Sequence, residues 1–164
     1  MTKKFVVTLT CWDYGNPLPY SERKSQRYDS FNEAFEEIKK CVKSELICLN
    51  DLESDTPREK VAIEDSDGNI VGYDYPFRAD FDGDNHCIIR FWDGDDYQNV
   101  TAYNIYEFED WDGYYAYRSF KIYPNKKENR FRVIDKHDCF YTMKHKLKTA
   151  LDWIDDWLLT NGNN

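Results

Sequence analysis

Between Val61 and Ile134 the chain alternates short β-prone runs with turns too small to hold a crossover, which restricts its possible folds more than any other feature. Runs rich in Val, Ile, Tyr and Phe occur at Val61–Glu64, Ile70–Tyr73, Cys87–Trp92, Tyr97–Phe108, Tyr114–Tyr123 and Phe131–Ile134. Between them stand Asp67-Gly68, Asp93-Gly94-Asp95-Asp96, Asp110-Trp111-Asp112-Gly113 and the polar stretch 125–129. Parallel neighbours need a connection of about a dozen residues or more, whereas turns this short join antiparallel ones. Asp67-Gly68 in particular suits the positive φ angles of a two-residue hairpin turn. The sequence therefore predicts an antiparallel meander.

Helical periodicity brackets this region. Ser30-Phe31-Asn32-Glu33 has the form of a capping box, in which hydroxyl and carboxylate reciprocally satisfy free amides at a helix start. Phe31, Ala34, Phe35, Ile38, Val42, Leu46 and Leu49 follow at spacings of three and four, predicting one apolar stripe on a helix from Phe31 to about Asn50. Thr142 is the expected cap of a second helix, with Met143, Leu147, Ala150, Leu151, Ile154 and Leu158 on one face and Asn161-Gly162 as its stop. Alternation over Phe5–Trp12 predicts a first strand, and 21–28 an edge strand after the Pro-containing loop 13–20. The expected fold is α+β: a single domain over residues 1–164, with a meander-like antiparallel sheet of about five to seven strands and two amphipathic helices packed on one face.

Composition narrows the class further. Five Trp, 13 Tyr and 10 Phe make disorder a poor description despite the high charge. Lys3 and Lys4 precede an apolar run too short and polar for a signal segment, and no run approaches the roughly twenty apolar residues of a membrane span. Five scattered cysteines do not form a disulfide framework, which points to a reducing, cytoplasmic setting.

The chemical motifs are incomplete. Asp65-x-Asp67-Gly68-Asn69 and Asp80-x-Asp82-Gly83-Asp84-Asn85 group oxygen donors, but a calcium loop of the EF-hand type needs Gly sixth and Glu twelfth. Here Gly stands fourth in both, and Pro76 and Phe91 occupy the twelfth positions. His86-Cys87 and His137-x-Cys139 lack the paired spacing of a zinc site. No nucleophile elbow or phosphate-binding Gly loop occurs. The expectation is no metal, no cofactor and no catalytic residue.

Charge distribution is the one functional signal. Residues 51–113 carry 18 acidic and 4 basic side chains, a net of −14, whereas the first fifty residues net +1 and residues 114–164 net +4. Such a block repels nucleic acid and steers a basic partner. The candidate contact residues are Asp93, Asp95, Asp96, Glu107, Glu109, Asp110, Trp111 and Asp112, with carboxylates for long-range attraction and an aromatic anchor between them. If the strands pair as predicted, the two Asp-rich turns lie at opposite sheet ends. A plainer account of these acids is solubility and protection of sheet edges.

Three functional readings follow. The first is a small non-enzymatic interaction protein that engages a basic protein surface. Its sharpest form is a nucleic-acid mimic, such as an inhibitor carried by a phage or mobile element against a DNA-binding enzyme. The second is a carbohydrate- or small-ligand-binding domain using an aromatic sheet face, with Tyr115, Tyr117 and Tyr123 as the platform. Against this, the same tyrosines also suit cross-strand packing. The third is a hydrolase with unrecognised carboxylate chemistry.

Overall fold

A computed structural model of the protein describes residues 1–13, 18–92, 94 and 96–161. In chain order the elements are β1 Thr2–Trp12, β2 Pro19–Tyr28, α1 Phe31–Leu49, β3 Val61–Glu64, β4 Ile70–Asp74, β5 Phe77–Phe81 and β6 His86–Trp92. They continue with β7 Tyr97–Trp111, β8 Tyr114–Tyr117, β9 Phe120–Asn125, β10 Arg130–Ile134, β11 Phe140–Lys144 and α2 Leu147–Asn161.

The 15-residue strand β7 organises the sheet. One of its edges is filled by β1, from Thr2 opposite Asp110 to Cys11 opposite Thr101. The other edge is shared: β6 pairs with its first half and β8 with its last four residues. The main path runs β11-β10-β9-β8-β7-β1-β2, with β5-β6 branching from β7. All these pairings are antiparallel, as expected. The nine-stranded sheet curls into a half-barrel, and β3 and β4 form a separate two-stranded sheet, so the expected strand number was too low. Phe77–Phe81 and Phe140–Lys144 are the strands that escaped the periodicity, each only five residues long.

The helices lie on opposite faces, not on one. Val6 packs with Phe108, Ile122, Val133 and the α2 residues Leu151 and Ile154. Its neighbour Val7 packs with Ile105, Ile89, Cys87 and the α1 residues Ile38 and Val42. Successive strand residues point to opposite faces, so two adjacent valines head two cores. An apolar stripe states that a helix must be covered, but not by which face of the sheet.

Local chemistry fixes α1. The Ser30 hydroxyl accepts from Glu33 N at 3.1 Å, as the capping box requires, while the Glu33 carboxylate reaches one residue further back and accepts from Asp29 N at 3.1 Å. Further along, the Glu45 carboxylate accepts from Thr101 Oγ1 and Tyr103 Oη, both at 2.6 Å, and ties the helix to β7. Burial and this carboxylate push the Tyr103 phenol well above its ordinary range. At the C-terminus, buried Asn50 donates to Phe77 O at 2.9 Å and accepts from Phe77 N at 3.1 Å, which fixes the start of β5.

Around α2 the expectation fails in two places. Thr142 lies inside β11, opposite Val133, because pairing with β10 claims its backbone; α2 begins at Leu147. Tyr114–Tyr123 is not one strand. Arg118 and Ser119 adopt φ of 48° and 69° and turn the chain back, so that Tyr117 faces Phe120. Positive φ at both central residues is the signature of a type I′ hairpin turn, usually made by Asn-Gly.

Arg118 occupies that position beside a buried ionic cluster. Its Nη1 donates to Asp155 Oδ1 at 2.8 Å, and the Tyr117 hydroxyl donates to the same oxygen at 2.9 Å. Arg23 of β2 pairs with both Asp155 and Asp152 of α2. Asp155 is 2 % exposed and Arg23 4 %. Each buried charge thus has an opposite partner, Asp152 being partly exposed and also met by Lys148 at 2.7 Å, and this pairing is what permits the burial of Arg23 and Asp155.

Two stability outcomes are expected. Ser30→Ala removes the cap and should cost about 1 kcal/mol, lowering the melting temperature by roughly 2–4 °C; an unchanged melting temperature would remove the cap's role. Asp155→Leu strands two buried arginines and should cost about 3–5 kcal/mol in denaturant titration. Exposed Asp156→Ala should stay within about 0.5 kcal/mol. Equal effects at the two aspartates would show that the cluster does not hold the helix.

Candidate functional site

Two hairpins carry eight of the 18 acidic residues of the block. The first is the β3–β4 arm. Its loop is one residue longer than Asp67-Gly68 implied: Asp65 N donates to Asn69 O at 2.9 Å, leaving Ser66, Asp67 and Gly68 as a three-residue loop. Gly68 alone has positive φ, at 80°, consistent with a hairpin in which glycine takes the left-handed position. The Asp65 carboxylate accepts from Asp67 N at 3.0 Å and Asn69 N at 2.9 Å. These backbone donors hold it below the ordinary carboxylate range. An oxygen the sequence offers to calcium is therefore engaged by its own turn.

Neither strand of the arm joins another strand, and none of its residues is buried. Ile70, Val71 and Tyr73 are 55 %, 65 % and 66 % exposed. Glu64, Asp65, Asp67 and Asp74 lie among them and are also exposed. A two-stranded hairpin is marginal in water by itself, and large apolar side chains left in solvent are informative where they cluster. Sequence reasoning placed these strands but missed their role, because isolation from the sheet leaves no mark on a four-residue alternation.

The second projection is the tip joining β7 to β8, which brings together five of the expected contact residues. Glu107, Glu109 and Trp111 alternate along one face of β7, with Asp110 between them and Asp112 in the turn. Trp111 Nε1 donates to Glu109 Oε2 at 2.7 Å. Its indole stacks on Tyr114 at 6.0 Å between centroids and 3° between planes. Lys3 pairs with Glu107 at 3.1 Å, so part of the local charge is compensated. Asp96 stands at the other end of β7, its carboxylate accepting from Tyr97 N at 2.8 Å. At about 3.3 Å per residue, Asp96 and Asp110 are roughly 45 Å apart along the strand, so they form no single cluster. Asp93 and Asp95 lie outside the described residues.

The tyrosine platform is not assembled. The Arg118-Ser119 turn reverses the alternation, so Tyr115 and Tyr117 face the α2 core while Tyr123 lies against Tyr114, with ring centroids 5.4 Å apart. Tyr117 is 1 % exposed, and Tyr115 stacks on Phe108 at 5.4 Å. Burial and the Asp155 carboxylate raise the Tyr117 phenol far above its usual value.

Inside the curl, between β1, β6, β7 and α2, a cleft of about 310 Å³ is lined by Thr8, Thr10, His86, Asn104, Tyr106 and Arg118 among others. A second lobe of about 690 Å³ shares Tyr106 and Arg118 and is walled by Phe120, Tyr141 and Trp157. Among the described residues no three His, Cys, Asp or Glu side chains converge as a metal-ligand set. None of the five cysteines forms a disulfide. Burial pushes the Cys87 thiol up to about 11, which holds it in the unreactive protonated form. No helix among the described residues is long and apolar enough to cross a membrane. In comparisons with known proteins, no family model, no curated protein and no solved structure matches this chain.

Proposed function

We propose that this is a cytoplasmic, non-enzymatic interaction protein that engages a basic protein surface through its acidic hairpins, chiefly the β3–β4 arm. The observation that carries the reading is the arm itself. Three large apolar side chains stand in solvent on a hairpin that pairs with no strand of the main sheet among the described residues, on an arm that also carries exposed Glu64, Asp65, Asp67 and Asp74. The complementary surface is an apolar groove with Lys or Arg on its rim. Carboxylates accelerate encounter, and burial of Ile70, Val71 and Tyr73 slows escape.

The Trp111 tip is a second contact of the same kind, offering a pre-stacked indole beside Glu109, Asp110 and Asp112. The narrower version, imitation of nucleic-acid phosphates against a DNA-binding enzyme, rests on acidic groups at the two ends of one long strand, Asp96 at one and Glu107 to Asp112 at the other. In that version duplex DNA competes with the protein for its partner. Free thiols accord with a reducing compartment.

The test uses a partner captured on the wild-type protein, identified and purified. Joint replacement Glu64→Gln, Asp67→Asn and Asp74→Asn should slow association severalfold at low salt, with the difference largely erased at high salt, where the screening length falls to about 3 Å. Val71→Ser with Tyr73→Ser should leave association nearly unchanged and speed dissociation about tenfold or more. A partner that is acidic, or an association rate indifferent to salt and to all five substitutions, would overturn the proposal.

A further inference from the structure

The cleft inside the curl has a composition unlike the acidic hairpins, and nothing in the partner-binding reading uses it. Its inner lobe sets neutral polar groups beside the Arg118–Asp155 pair and the apolar Ile88, Ala102 and Leu159. Thr8 and Thr10 come from β1, Asn104 from β7, and His86 from β6. His86 Nδ1 and Asn104 Oδ1 are 2.7 Å apart, which fixes the amide and imidazole in one orientation. Tyr106 forms the boundary with the outer lobe, and the Arg118 guanidinium lies 4.0 Å from the centre of its ring.

The outer lobe adds an aromatic wall. Tyr141 and Trp157 have centroids 5.3 Å apart at 65°, and Tyr141 is 38 % exposed. Asp135, Lys136 and His137 close this side from the loop between β10 and β11. Both lobes fall in the size range of small-molecule sites.

Charge decides between ligand classes. A phosphate or carboxylate would meet a carboxylate in each lobe, Asp155 in the inner and Asp135 in the outer, and the Arg118 guanidinium already donates to Asp155. A neutral ligand loses nothing to this pairing. Hydroxyls arrayed around a ring match a pocket of Thr, Asn and His, because each is at once donor and acceptor. The apolar face of such a ring matches an indole or phenol.

We propose that the cleft binds a neutral polyhydroxylated ligand of the pyranose class. One sugar ring sits on the Thr10 and Asn104 side, and a linked ring lies against Tyr141 and Trp157. The site is distinct from the tyrosines that strand alternation suggested, and it is approached from the face that carries α2.

The experiment screens the full chain on an array of neutral oligosaccharides and titrates the best binder while following tryptophan fluorescence. Glucuronate, AMP and inorganic phosphate serve as anionic probes. A neutral oligosaccharide should bind; isosteric Thr10→Val, at unchanged melting temperature, and Tyr141→Ala, which also gives up ring contacts with Phe120, Trp153 and Trp157, should each weaken it about tenfold. Trp111→Ala, at the β7–β8 tip, should leave binding intact. Should Tyr141→Ala disturb folding, Tyr141→Phe and Thr10→Ser, which conserve the ring and the hydroxyl, are expected to retain binding. No binder on the neutral array, preferential binding of an anionic probe, or an oligosaccharide indifferent to Tyr141 and Thr10 would each overturn the assignment.

Discussion

One carboxylate sets the shape of this protein. Asp155 of α2 meets Arg23 from β2 and Arg118 from the end of β8, and these strands are three positions apart in the sheet. In a flat sheet at about 4.8 Å per strand they would be separated by roughly 14 Å. Two side chains converge on one helix residue across that span most readily if the sheet curls toward it. The Tyr117 hydroxyl completes the set and also lies 3.3 Å from Thr8 Oγ1, bringing β1 into the same network. The helix, the edge strand and the β8–β9 turn are thus coupled. The concave cleft is the space this curl leaves beside α2.

The network also explains a residue that local rules disfavour. Two consecutive non-glycine residues with positive φ carry a backbone cost of about 1–3 kcal/mol each. At Arg118 the cost is offset by the ion pair with Asp155 and by the guanidinium against Tyr106. Because the compensation is tertiary, the turn has no local signature, and Tyr114–Tyr123 reads as one unbroken strand.

The elements legible in the sequence are those whose cause is local. Ser30 and Glu33 cap α1 through neighbours three and four residues away, and the antiparallel order of β7 to β11 follows from connections too short for anything else. What was illegible depends on partners distant in the chain. Thr142 has the chemistry of a cap, but backbone pairing with Val133 holds it in a strand. Val6 and Val7 look equivalent until α2 and α1 cover them from opposite sides. Of the acidic candidates, those near Trp111 are grouped because they are adjacent in sequence; Asp96 is separated from them because the fifteen residues of β7 lie between the two ends. The arm and the inner cleft were missed for a shared reason. Both are defined by which surfaces remain uncovered, and coverage is a property of the whole sheet.

The separation of the β3–β4 arm from both cores has a consequence for how the protein changes over generations. Substitutions in the cores, or at Asp155, are filtered first by whether the chain still folds. Substitutions at Ile70, Val71 or Tyr73 meet no such filter, since these side chains contribute little to the folded body. The arm's surface can therefore change its chemistry from one generation to the next while the half-barrel stays fixed.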